Sequence, residues 1–184
     1  MDDNLKKFAE KLKNAKSCYG AGGMQKRKNP NRWRKDLATF FEINAVRLVN
    51  PVEDNKEIFN ASMMGFKEEN IPYTLEELLD IDPEKRAMLF RQTELNDFKF
   101  MEMVDFQIFY LDESIGFGTM SEFRENYDRI KKPSIIIRTI EIRDLAHWVE
   151  WRHFRMLKEG NAIEFKNFPE MKKFFIEYLN YKEK

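Results

Sequence analysis

The stretch Leu111-Asp112-Glu113-Ser114-Ile115-Gly116-Phe117-Gly118-Thr119-Met120-Ser121-Glu122 leaves an apolar run, turns through two glycines and enters a helix-forming segment that carries a carboxylate. With Glu122 in the first turn, the positive end of the helix and its unpaired N–H groups would favour the ionised side chain, the state a nucleophilic carboxylate needs. An acid there is equally an ordinary helix-start preference. A second acid, Asp97, stands eight residues before Asp105, near the end of the preceding helix, where it opposes the helix dipole. Glu94 and Glu102 are close by, and a solvated acidic face accounts for all three as well. Nearer the N-terminus, Ser17-Cys18-Tyr19-Gly20-Ala21-Gly22-Gly23 reads as a short strand running into a glycine turn, where backbone can approach another group closely. Around that turn Lys26, Arg27, Lys28, Arg32, Arg34 and Lys35 offer a place for a 5'-phosphate or a polynucleotide, or form a solvated face. His147 and His153 are six residues apart, which puts them on different faces of their helix and argues against a shared metal.

These groups need elements to position them. Leu5, Phe8, Ala9 and Leu12 recur at helical spacing, as do Trp33, Leu37, Phe40 and Phe41. Val46 to Asn50 reads as a strand stopped by Pro51. Thr74 with Glu77, and Asp82 with Pro83, are helix-start signals bordering an irregular stretch at about 52–82, read as an insertion. A helix from Pro83 to about Val104 leads into Asp105 to Leu111, a nearly continuous apolar run of the kind found in a strand buried on both faces. Then come a helix with Met120, Phe123, Tyr127 and Ile130 on one face, and a strand at Pro133 to Ile137. The remainder reads as helices, over Asp144 to Leu157 and Pro169 to Tyr181 with Asn167 or Phe168 near the last cap. Strands alternating with helices imply an α/β parallel sheet covered on both sides. Its ligand loops then follow Tyr19, Asn50, Leu111 and Ile137.

Composition narrows the function classes. The 184 residues suit a single domain. A 42% hydrophobic share with seventeen Phe supplies a core, which excludes disorder as a description of the whole. Thirty-two basic residues balance thirty-two acidic ones, which argues against a nucleic-acid partner held by a long-range positive field. One Cys permits no internal disulfide, and no Cys/His cluster suggests zinc. No apolar run approaches the roughly 18–20 residues that span a bilayer, and the acidic start lacks a leader-like apolar segment, so a cytoplasmic protein without membrane contact is expected. Trp148 and Trp151 are expected in the core or at a subunit interface.

Taken in order, Tyr19-x-Ala21-Gly22, Trp33-Arg34, Asn50-Pro51, Asp97 eight before Asp105, and Gly118-Thr119-x-x-Glu122 resemble the motifs of the nucleoside 2-deoxyribosyltransferase superfamily, which includes the 2'-deoxynucleoside 5'-phosphate N-hydrolases. The resemblance spans about residues 16–138 and leaves out much of 52–82 and a C-terminal helical extension at about 143–184. It implies a flavodoxin-like, Rossmann-like sheet with extra N- and C-terminal helices, cleaving the N-glycosidic bond of a deoxynucleoside. By resemblance, Glu122 is the nucleophile that forms a covalent deoxyribosyl intermediate, Asp97 assists proton transfer to and from the base, and Tyr19 positions Glu122. Gly22, Gly23, Asp112, Ser114, Gly116, Gly118 and Thr119 are the expected substrate-binding positions. Lys26, Arg27 and Arg32 are expected at a phosphate if the substrate is a nucleotide. No metal or organic cofactor is implied, and a homo-oligomer whose neighbouring subunit completes the pocket is. The chain departs from the family pattern at Gly116, where many relatives carry Asp, and at Arg124 and Asn126, which change the helix surface near the site. A transferase is therefore the expected activity, with a monophosphate hydrolase and a noncatalytic nucleotide-binding or assembly module as alternatives.

Overall fold

The computed structural model describes residues 3–22, 32–51, 82–113 and 115–183. Apart from Asp82, the expected insertion lies outside them. The elements are α1 (Asp3–Leu12), β1 (Ser17–Gly22), α2 (Arg32–Glu42), β2 (Arg47–Val49), α3 (Pro83–Met103), β3 (Phe106–Leu111), α4 (Phe117–Glu125), β4 (Ser134–Arg138), α5 (His147–Lys158), β5 (Ala162–Phe165) and α6 (Phe168–Leu179). Two helix starts are fixed by the side chains that the sequence offers for it. Asp82 Oδ1 accepts the Glu84 N–H at 3.1 Å, and Asn167 Oδ1 accepts the Glu170 N–H at 2.9 Å.

All strand pairs are parallel, in the order β2-β1-β3-β4-β5, so the fold is a flavodoxin-like α/β sheet with β3 at its centre. From β1 the chain goes outward to β2, then returns past β1 and builds β3, β4 and β5 in the other direction. That reversal leaves a crevice at the carboxyl ends of β1 and β3. Strand residues alternate between two cores. Cys18, Phe106, Ile108, Ile135, Ile137 and Ile163 pack with α1, α2 and α6. Tyr19, Ala21, Phe109, Leu111, Ile136 and Ala162 face Met101 of α3, Phe123 of α4, and Val149 and Met156 of α5. Asp105 ties the start of β3 to β1, its Oδ2 accepting the Lys16 N–H at 2.7 Å and the Ser17 N–H at 3.0 Å. Among the described residues no helix is long and apolar enough to cross a membrane.

Three sequence expectations are corrected here, and a fourth is narrowed. The stretch read as wholly helical after 143 contains β5, whose Glu164 interrupts the apolar pattern. That carboxylate is taken up by Arg138 of β4 through bonds of 2.9 and 2.8 Å and by His153 Nε2 at 2.5 Å. Burial pushes the Glu164 carboxyl up, but its bonds to His153 and Arg138 more than offset this and hold it at about 2. Next, Gly20 and Gly22 belong to β1 rather than to a turn. They are small because the Trp33 ring lies against the strand: a Cβ at Gly22 would meet Trp33 Cζ2 at 2.7 Å.

The helix read through Ile130 becomes a π turn over Asn126–Ile130. There Asn126 is buried, donating to the Lys132 carbonyl and the Ser134 hydroxyl and accepting the Lys132 N–H. Asn126 therefore anchors the helix end and presents nothing to the site's surface, while Arg124 is exposed. Finally, of the two places expected for Trp148 and Trp151, the core is excluded, since they are 40% and 53% exposed, as is Phe154 at 57%.

Overpacking is the expected result of Gly22→Ala, which forces Trp33 or β1 to shift at a cost of about 1–3 kcal/mol. Thermal unfolding should show a lowered Tm; an unchanged one would mean that the strand and ring are not in this contact.

Candidate active site

Two elements meet at the switch point. β1 delivers Tyr19 to the face covered by α3, α4 and α5, and α4, entered through Gly116 after β3, delivers Glu122 from above. The Tyr19 hydroxyl, fully buried, donates to Glu122 Oε1 at 2.5 Å. Asp97 of α3 lies near enough for its charge to act on both groups. Burial is the main force raising the Tyr19 phenol well above its ordinary range, and the negative charges of Glu122 and Asp97 raise it further. The phenol therefore stays protonated, and Tyr19 can serve Glu122 only as a donor.

The expectation that Glu122 sits in a first helical turn, with its ionised form favoured by the dipole, is overturned. α4 starts at Phe117, carries no acid in its first turn, and places Glu122 as its sixth residue. There the side chain is only 7% exposed. Burial, with the Asp97 charge added, pushes its carboxyl up to about 8, against the pull of the Tyr19 hydrogen bond and the Arg34 charge. The raised value keeps a proton on the Glu122/Asp97 pair at neutral pH.

The remaining expected positions divide clearly. Thr119 is buried one turn before Glu122, and Asp112 is buried just past the end of β3. Gly116 caps α4 with extended backbone, and a Cβ at Gly118 would meet nothing within 4 Å, so the helix start borders open space. Gly22 ends β1 under Trp33. Arg32 opens α2 on the exposed side. Gly23, Lys26, Arg27 and Ser114 lie outside the described residues.

Sequence reasoning assigned Arg34 to a cluster of surface cations, and this is corrected: Arg34 is 1% exposed. Its Nε donates to the Gly20 carbonyl at 3.0 Å, its Nη2 to the Gly22 carbonyl at 2.9 Å, and its guanidinium carbon lies 4.4 Å from the Trp33 ring centre. A signal was present. Arg34 is three residues before Leu37 and seven before Phe41, so it falls on the buried stripe of α2 rather than with Arg32 and Lys35.

Glu122 carries a measurable consequence for stability. Its folded value near 8 lies above the ordinary 4.5, so folding is favoured most at low pH and loses that contribution as pH rises from about 4.5 to about 8. The amount is on the order of a few kcal/mol. Glu122→Gln should match wild type near pH 4.5 and be the more stable protein above pH 8, read by thermal melts across that range. Parallel pH profiles for the two proteins would refute a buried, reluctantly ionised Glu122. Among known proteins, no family model matches this chain and no curated protein matches it either, so the site is read from its own geometry.

Proposed function

We propose that the protein is a nucleoside 2-deoxyribosyltransferase-like enzyme that cleaves the N-glycosidic bond of a deoxynucleoside and passes the sugar to another base. The observation that carries this reading is the 2.5 Å bond from Tyr19 to a buried Glu122 at the sheet's switch point, with the Asp97 charge acting on both. The reaction needs one bare carboxylate and one proton. At neutral pH the Glu122/Asp97 pair holds a proton, and Tyr19 donates in a way that favours the ionised form of Glu122.

In the proposed cycle, binding shifts the proton toward Asp97, and a Glu122 oxygen bonds to C1' as the bond from C1' to the base nitrogen breaks. The electron pair of that bond leaves with the base, which takes the proton from Asp97. An acceptor base then attacks C1' from the face vacated by the first, displaces the Glu122 carboxylate and returns its proton to Asp97. Water in place of the acceptor makes the same site a hydrolase, and the exposed Arg32 and Lys35 beside the β1 exit favour a 5'-phosphate in that case. Compartment and assembly belong to the same proposal. The buried, unpaired thiol of Cys18 fits a reducing cytoplasm, and the exposed Trp148, Trp151 and Phe154 fit contact with another subunit.

Mass spectrometry after mixing with a panel of deoxynucleosides should show a deoxyribosyl adduct on Glu122. Glu122→Ala should lose the adduct and at least about 10³-fold of base exchange. Retention of the wild-type rate by Glu122→Ala would reject the assignment, and free deoxyribose 5-phosphate from monophosphates without an acceptor would favour hydrolysis. The pH profile supplies a second check with defined signs. Tyr19→Phe removes a bond that lowers Glu122, so the falling limb of kcat/KM, where the pair loses its last proton, moves to higher pH; Asp97→Asn leaves Glu122 to titrate alone without the charge that raised it, so the residual activity rises with Glu122 ionisation at a pH below the wild-type falling limb. Limbs that stay in place in both variants would separate Glu122 from the observed rate.

A further inference from the structure

We propose that Arg34 is a positioning residue for the Tyr19–Glu122 pair: its guanidinium takes up the carbonyls at the edge of β1 beyond β2 and so fixes the strand that carries Tyr19, with its positive charge favouring an ionised Glu122. The part of this inference that concerns catalysis rests on the function proposed above; the structural and electrostatic part does not.

The geometry begins with the length of β2. It pairs with β1 only at Ser17, Cys18 and Tyr19, whereas β3 follows β1 as far as Gly22. Past Tyr19 the carbonyls of Gly20 and Gly22 would face away from β3 with no strand beside them among the described residues, and unpaired buried carbonyls are costly. Arg34 fills both through separate nitrogens. A lysine has one nitrogen and cannot reproduce that fork. Strand β1 is therefore clamped immediately after the residue whose hydroxyl meets Glu122.

The choice of residue points the same way. The position lies on the buried stripe of α2 among Trp33, Leu37 and Phe41, where an apolar side chain would avoid the desolvation of a cation. A buried arginine is consistent with an opposite charge nearby, and the groups around Glu122 are consistent with that. The charged or titratable groups acting on it are Tyr19 from β1, Asp97 from α3 and Arg34 from α2. On the other side of α4, Phe123 packs on Phe109 of β3, and α5 contributes Val149 and Met156. Among the described residues acting on Glu122, Arg34 is the one that brings positive charge, and it acts against both the burial and Asp97.

The test needs no substrate. The Glu122 carboxyl is followed by NMR of protein with 13C-labelled glutamate, assigned by the signal missing in Glu122→Gln, in wild type, Arg34→Lys and Arg34→Met. The expected result is a titration midpoint higher in Arg34→Met than in wild type, with Arg34→Lys between them. Melts at pH 5 and pH 9 give the second reading: Arg34→Met should lower Tm more at pH 9, where Glu122 is ionised, and equally at both values when combined with Glu122→Gln. An unmoved midpoint, or a Tm loss independent of pH in both backgrounds, would reduce Arg34 to a filler of the strand edge and overturn the inference. Should Arg34→Met fail to fold, the Arg34→Lys titration decides by the same criterion. If base exchange is present in wild type, Arg34→Lys should lose about tenfold in kcat at pH 7 with KM held. If wild type exchanges no base while the midpoint still moves, the proposed function fails and the role of Arg34 beside Glu122 stands.

Discussion

Removing the Glu122 carboxyl from water is the constraint around which the carboxyl end of this sheet is arranged. A carboxylate buried without partners would stay neutral or destabilise the fold, and each neighbour of Glu122 bears on that balance. Tyr19 offers it a hydrogen bond that favours charge, Asp97 opposes charge, and Arg34 favours it from the far side of β1. The result is a group poised close to neutrality rather than one locked in either state. A group so balanced responds to small changes in its surroundings, and a bound ligand that excludes water or brings positive character is such a change.

The balance depends on backbone geometry that looks unrelated to it. Trp33 packs closely on β1 because Gly20 and Gly22 have no side chains, and this packing holds α2 close enough for the adjacent Arg34 to reach the strand's carbonyls. Small residues in β1, a large ring in α2 and a short β2 act together to bring a cation under the site. Stability and the electrostatics of Glu122 are thereby coupled through one strand.

Much of the architecture was legible in the sequence, and the misses share a cause. The apolar run from Phe106 to Leu111 marks a central strand because both of its faces are buried, and the Asp82 and Asn167 caps announce their helices. By contrast β5 was hidden by Glu164, since a charge within a short apolar run reads as surface unless its partners, Arg138 and His153, are known to converge on it. Arg34 was misread for the same reason, as a charge is assumed to be exposed. Asp97, Tyr19 and Glu122 were recognisable as an ordered set, but their distance apart in the chain leaves only the fold to bring them together. Helix phase decided the remaining point: one turn of displacement moved Glu122 away from the dipole and made burial, rather than the helix start, the dominant influence on its charge.

The Arg138–Glu164–His153 cluster bears on how the molecule behaves in a crowded solution. Among the described residues β5 is the outermost strand on its side of the sheet, four residues long, and such an edge invites a neighbouring molecule to extend the ladder. Here an acid on that strand is turned inward and fastened to β4 and α5. A foreign strand adding at this edge would meet a short template whose one acid is already engaged, so the brevity of β5 and its inward charge disfavour sheet-to-sheet polymerisation.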